Sequence, residues 1–282
     1  MSNKIINHEQ SEYWNEKYGH KWVDNDNSMN ERLSILTKEL FLKTNIENGD
    51  KVLDIGCGGG QTSFEASKLV GDNGYVLGAD ISDLLLSVAK SKFSKVNNLE
   101  FKNCDVQNYS FKEKSFNKVI SRFGVMFFEN PVDAFCNINN SIKDGGSLNF
   151  VCWTNLMENE FHTAATNIIL KHIEKEYPKL TRDPGPFAFN DNEYIQEILN
   201  NSGFKNIKVE KIYTSISTQD TIEKDAELLL NLGMGARLLA EENLSEDKLS
   251  VIKNEIESMC KERQDNGIIS YNTCLNYVSA TK

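Results

Sequence analysis

The sequence predicts an α/β fold: a seven-stranded, mostly parallel sheet with one antiparallel edge strand, helices on both faces and helical insertions that form a lid. Three observations carry this. Short apolar runs alternate with amphipathic stretches from Lys51 to Trp153, the rhythm of βαβ units. The first of those runs ends in an acidic residue and enters a glycine turn, Asp54-Ile55-Gly56-Cys57-Gly58-Gly59-Gly60. Two more apolar runs come late in the chain, and the last is reached only after a helical excursion, which fits a reversed strand better than a continuing parallel order.

Lys51 to Ile55 reads as the first strand, and the glycine turn leads into a helix from Gln61 to Val70. Tyr75 to Ala79 is the second strand. Ser82 then caps a helix over Asp83 to Phe93, its hydroxyl taking an orphan N–H while Asp83 suits the positive helix end. Leu99 to Asn103 and Phe116 to Ser121 are the third and fourth strands. Pro131 opens a helix to Ile142, and Gly145-Gly146 turns into a fifth strand, Ser147 to Trp153. Helices are expected over Glu158 to Tyr177 and Asp191 to Ser202, separated by a break holding Pro178, Pro184 and Pro186. Gly203 stops the second of them before a strand from Phe204 to Thr214. Thr221 to Arg263 reads as a helix pair turning near Gly233 to Gly235, and Ile268 to Lys282 as the closing strand.

One domain over 1–282 accommodates this order: a helical amino-terminal cover (1–48), a ligand-binding core (49–155), a lid from 156–190 and 219–265, and carboxyl-terminal strands at 203–214 and 268–282. The net charge of −10 opposes approach to phosphate backbones and anionic membranes, so no nucleic-acid partner is expected. No stretch has the length and apolarity of a signal or a membrane span, which predicts a cytoplasmic protein without membrane insertion. The six cysteines are scattered without a CxxC pair and read as reduced thiols. The four histidines lack ligand spacing, so no metal is expected. A homodimer is compatible with the sequence, which does not fix the oligomeric state.

The glycine turn carries the chemistry. In a Rossmann-like dinucleotide fingerprint the third glycine admits close helix packing, and the helix start faces a pyrophosphate. Here Gln61 stands at that third position, and Asp54 adds negative charge where a pyrophosphate would sit. A cationic ligand suits such a turn better. Asp80 ends the second strand, where acidic residues accept from a ribose diol. Asp105 follows the third strand and is placed to accept from an adenine amino group, with Ile81 and Val106 on the two faces of the ring.

These residues resemble the class I S-adenosylmethionine-dependent methyltransferase superfamily, in its ubiquinone and menaquinone methyltransferase-like branch. VLDIGCGGGQTS is similar to the family's first motif, GADIS to its ribose motif, NCDVQNYSF to its adenine motif, and SRFGVMFF to the segment where substrate meets donor. The resemblance implies that Asp54, Gly56, Cys57, Gly58 and Gln61 border the methionine part of S-adenosylmethionine. It likewise implies Asp80 and Ile81 for the ribose, Asp105 and Val106 for the adenine, and Ser121 and Phe123 for the floor beneath the sulfonium. The implied reaction is in-line methyl transfer to a small-molecule acceptor, leaving S-adenosylhomocysteine. A nucleic-acid methyltransferase and a non-catalytic binding module are the alternatives.

Several residues outside those motifs are candidates. Trp14, Tyr18 and Trp22 share one helical face and either cover the cofactor or pack as core. Arg122 and Arg237 belong to a set of five arginines in a lysine-rich chain: Arg122 binds an acidic substrate or pairs with Asp or Glu at the sheet edge, and Arg237 binds substrate or pairs on its helix surface. Met126 and Trp153 suit an apolar acceptor pocket. His162 is the candidate general base, since its ordinary pKa suits proton removal near neutrality, although a helix histidine also serves structurally.

Overall fold

A computed structural model describes residues 4–282, so the first three residues of the expected amino-terminal cover lie outside it. The cover is a run of short helices: α1 (His8–Glu12), a π-helical turn (Tyr13–Lys17), α2 (Gly19–Asp24), α3 (Asp26–Arg32) and α4 (Ser34–Thr44). The widened turn depends on Gly19, where an added Cβ would stand 1.9 Å from the Trp14 carbonyl oxygen.

The core follows as β1 (Lys51–Ile55), α5 (Gln61–Val70), β2 (Tyr75–Asp80), α6 (Asp83–Lys92), β3 (Leu99–Asn103), β4 (Phe116–Arg122), α7 (Pro131–Ser141) and β5 (Ile142–Trp153). Ser82 caps α6 by accepting from Leu85 N–H, and Asn130 caps α7 ahead of Pro131. β5 begins five residues earlier than its glycine pair suggests. Ile142 already pairs with Phe116, and a register shift between Phe116 and Lys118 absorbs the turn residues into an irregular strand.

The rest is α8 (Glu160–Ile173), α9 (Asn192–Asn201), β6 (Lys205–Thr218), α10 (Ile222–Asn231), α11 (Met234–Ala240), α12 (Glu246–Glu262), β7 (Gln264–Asp265) and β8 (Ile268–Thr281). α8 stops short of Tyr177 because Glu174 adopts a left-handed conformation. The expected helix pair over 221–263 is three helices. Gly233, at φ +95°, breaks the first from the second, and the Ser245 hydroxyl caps the third.

Seven strands lie in the order β3-β2-β1-β4-β5-β8-β6, and β7 pairs with β8. β1 to β5 are parallel. The reversed strand is β8, antiparallel to both β5 and β6, so the antiparallel margin of the sheet consists of β8 seated one place inside the edge strand β6. β7 reaches β8 through Asn266-Gly267, both at positive φ as a tight hairpin turn requires. No helix among the described residues is long and apolar enough to cross a membrane.

Candidate active site

One cavity opens over the carboxyl ends of β1, β2, β4 and β5, where open α/β sheets bind their ligands. Its wall includes Gly56 to Gly59, Gln61, Asp80, Ile81, Asp105 and Val106 on one side, and Phe123, Met126, Trp153, His162 and Arg237 on the other. The sequence motifs therefore converge on one space. Two candidates do not face it: Asp54 and Ser121 are fully buried behind the wall.

Ser121 is a brace. Its hydroxyl donates to the Ile55 carbonyl (2.8 Å) and accepts from Gly124 N–H (3.1 Å), tying the end of β4 to the glycine turn. Gly124 rests directly on Gly56, where an added Cβ would come within 2.6 Å of the Gly124 Cα. That approach needs glycine in both loops, and Gly56 also has φ +66°. Gly60 takes the packing role that the sequence reading sought at position 61: a Cβ there would meet the Phe101 ring at 2.6 Å and Ala89 at 2.9 Å. The spacing Gly56, Gly58, Gly60 was the available signal.

Asp54 accepts from the Ser63 hydroxyl at 2.6 Å, and its other oxygen is buried without a partner. Burial pushes its pKa up to about 7, with the Ser63 bond opposing. It shapes the field behind the glycines and lies out of contact with the cavity. Asp80 does face it. Each of its oxygens accepts one backbone N–H at 2.8 Å, Gly58 to Oδ2 and Ser82 to Oδ1, leaving a further lone pair on each for a diol. Burial raises its pKa against those bonds.

Asp105 is already engaged. Oδ2 accepts from Ile6 N–H (3.0 Å) and Asn7 N–H (2.9 Å), and Oδ1 from Asn7 Nδ2 (2.8 Å) and Gln107 N–H (3.1 Å). All four lone-pair directions are taken, so an adenine amino group reaches Asp105 only where Asn7 yields. An amino-terminal cover was expected, but the contact of Asn7 with Asp105 was not, because the two lie 98 residues apart in sequence.

The tryptophan stripe lines the cavity. Trp14 meets Trp22 at 6.1 Å and Phe127 at 5.3 Å, both edge to face. Arg122 lies on the glycine side, bonded to the Thr37 hydroxyl (2.9 Å) and Asn30 Oδ1 (2.7 Å). Asn30 in turn donates to Asp26, whose Oδ1 stands 2.5 Å from a Cβ built at Gly59. Arg122 thus pairs with no carboxylate at the sheet edge and lines the cavity from its glycine side. Burial lowers its pKa, and Asp54 is the largest opposing influence.

The aromatic half is built around a stack of Phe123 on Trp153, centroids 4.2 Å apart and planes at 11°. Phe123 has φ +66°, a strained setting for a bulky residue that turns its ring onto Trp153. His162 packs edge-on against Trp153 (4.7 Å) and Phe187 (5.0 Å). Its Nε2 is buried without a partner, and desolvation lowers its pKa to about 4, so the imidazole is neutral at pH 7. Phe187 comes from the proline break, anchored where Gly185 N–H donates to the Met126 carbonyl (3.1 Å). No cluster of three metal-ligating side chains occurs among the described residues.

Residues 52–146 match the methyltransferase domain family, covering β1 through the start of β5. The cofactor the site accommodates is S-adenosylmethionine: glycines give close approach and Asp80 retains acceptors for a ribose. The domain match and this site make the protein an S-adenosylmethionine-dependent methyltransferase. It is 27% identical over 182 residues to the demethylmenaquinone methyltransferase of Staphylococcus saprophyticus, spanning 61% of this chain and 77% of that one. Its fold is that of YcgJ from Bacillus subtilis (TM-score 0.55, 17% identical, covering 89% of this chain and 97% of that one). It is also that of phosphoethanolamine N-methyltransferase 2 from Haemonchus contortus, solved with S-adenosylhomocysteine (TM-score 0.51, 20% identical, 88% of this chain); this chain spans 52% of that enzyme.

Proposed function

We propose that this methyltransferase acts on a small, largely apolar acceptor held against the Phe123–Trp153 stack. The observation that carries the reading is a single cavity with two unlike halves, a glycine and carboxylate half and an aromatic half that contains an unpartnered imidazole nitrogen. S-adenosylmethionine, when bound, supplies a methyl group on a positively charged sulfur, open to in-line transfer.

The chain's own residues do the rest. Asp80 would hold the ribose hydroxyls, and Ile81 and Val106 would flank the adenine. Arg122 and Asp26, joined through Asn30 at the Gly59 edge, would hold the α-carboxylate and α-ammonium of the methionine end, with Asp26 also paired to Lys92. Trp14, Trp22 and Phe127 exclude water from the donor, which favours charge-dispersing transfer by desolvation and orientation. His162, neutral and desolvated, accepts the proton of an O–H or N–H nucleophile at Nε2. α8 and the α10–α11 corner close the acceptor side.

Calorimetric titration with S-adenosylhomocysteine tests the donor half. Micromolar binding, weakened about a hundredfold or more in Asp80→Ala, is expected; a variant that binds as tightly as the parent overturns the assignment. A screen of phenolic and amine acceptors then tests the aromatic half.

A further inference from the structure

The aromatic half of the cavity has an unbalanced charge. Its walls are Phe123, Trp153, Phe161, Phe187, Leu229 and Met234, and among the described side chains the one cation facing that half is Arg237 of α11. Arg237 is exposed, which puts its guanidinium at the rim rather than the floor. Among the described residues no carboxylate lies within 4.0 Å of it, in a chain with 41 acidic residues. Arg32 takes Asp220 and Asp225, and Arg182 takes Asp191 and Glu197, whereas Arg122 and Arg263 resemble Arg237 in pairing with no carboxylate among the described residues, and of these three only Arg237 stands at the rim of the aromatic half.

Its neighbour is instead the Tyr13 hydroxyl. The Tyr13 ring stacks on Tyr18 at 5.1 Å, and the Tyr18 hydroxyl accepts from Gly233 N–H at 2.6 Å, so the amino-terminal cover braces the start of α11. A guanidinium beside a neutral hydroxyl keeps most of its five donors for a ligand. Arg122 does not compete for that ligand, because Thr37 and Asn30 hold it on the glycine side.

The geometry points to an acceptor that is a small aromatic acid, its ring between the Phe123–Trp153 stack and Phe187 and its carboxylate at the rim on Arg237. This deepens the proposed methyl transfer and rests on that reading of the cavity. A carboxylate at the rim stays partly hydrated while the ring is buried, so binding does not require desolvating an isolated charge. It also sets which end of the acceptor enters first, presenting the far edge of the ring towards His162.

The test is titration of the full chain, saturated with S-adenosylhomocysteine, with 1-naphthoate and with its neutral isostere 1-naphthamide. The parent protein is expected to prefer the acid by about tenfold, and Arg237→Gln to bring the two within about twofold of each other. Arg237 lies on an exposed helix face outside the donor half, so S-adenosylhomocysteine affinity should be unchanged in the variant. Equal binding of the two probes, a preference for the amide, a preference that survives in Arg237→Gln, or binding of neither probe overturns the proposal while leaving the donor half standing. Failure of the parent to bind S-adenosylhomocysteine overturns the donor reading and this proposal with it.

Discussion

Burial pushes two ionisable residues in opposite senses. His162 falls from 6.5 to about 4, because desolvation disfavours its cation. Asp54 rises from 3.8 to about 7, because desolvation disfavours its anion. For His162 the stabilising contribution is present above pH 6.5 and is lost as pH falls towards 4. For Asp54 it is present below pH 3.8 and is lost as pH rises towards 7. The two slopes oppose each other between pH 4 and 6.5 and partly cancel in the parent protein. Urea unfolding across that range should show Asp54→Asn losing stability on acidification more steeply than the parent, and His162→Phe losing it more steeply on alkalinisation. His162→Phe and parent curves that superimpose would show that the imidazole is not desolvated. The proposed base role adds that kcat/KM has no His162 inflection between pH 6 and 8, since the neutral imidazole already predominates there.

At the scale of elements, the site depends on how closely β1 and β4 deliver their loops. Gly124→Ala puts a methyl group 2.5 Å from the Ile55 carbonyl oxygen and 2.7 Å from the Gly56 Cα, so the loop carrying Phe123 has to lift. S-adenosylhomocysteine affinity should drop about tenfold or more, with the melting temperature little changed, because the cost falls on a loop rather than on the core. The amino-terminal segment makes a different prediction. Asn7 lies over Asp105 through three of the four hydrogen bonds that the carboxylate accepts when Ile6 is counted with it. Asn7→Ala removes the side-chain bond and frees one lone pair of Oδ1, the other staying with Gln107 N–H, so stopped-flow fluorescence should show faster association of S-adenosylhomocysteine. An unchanged association rate means that the adenine does not enter by this edge. The core elements were legible because each strand and helix there has its own punctuation, such as Ser82, Pro131 and the glycines. The π-helical turn and the three-helix corner over 222–262 were not, since both are set by what packs against them: Trp14 against Gly19, and α11 against α8.

At the scale of the molecule, one buried knot ties α3, α10 and β8 together. Arg32 of α3 bonds Asp225 of α10 at 2.5 Å and Asp220 at 2.9 Å, and Asp225 accepts from the Tyr271 hydroxyl of β8 at 2.5 Å. Arg32 and Asp225 are both fully buried. Removing one partner leaves the other as an uncompensated charge, so Arg32→Leu should destabilise the fold by about 3–5 kcal/mol in thermal unfolding. Arg32→Leu paired with Asp225→Leu should recover part of that loss. A single variant that melts with the parent would mean that the cover and the lid fold independently of each other.

The sequence by itself determined the α/β class, the run of parallel strands, and which carboxylates and glycines stand at the strand ends, because those features are local: period, caps and turns are written within a few residues. It also named the members of the aromatic half, Phe123, Met126, Trp153 and His162. Tertiary structure decided which of these candidates face the cavity. Asp54 and Ser121 are turned behind the wall, Arg122 is claimed by α3 and α4, and Asp105 is covered by a segment from the far end of the chain. β8 is also inserted between β5 and β6 by pairing across more than 50 residues. The physical reason is the same in each case. Burial and hydrogen-bond competition depend on which surfaces meet when the chain closes, and the meeting of distant surfaces leaves no local mark in the order of residues.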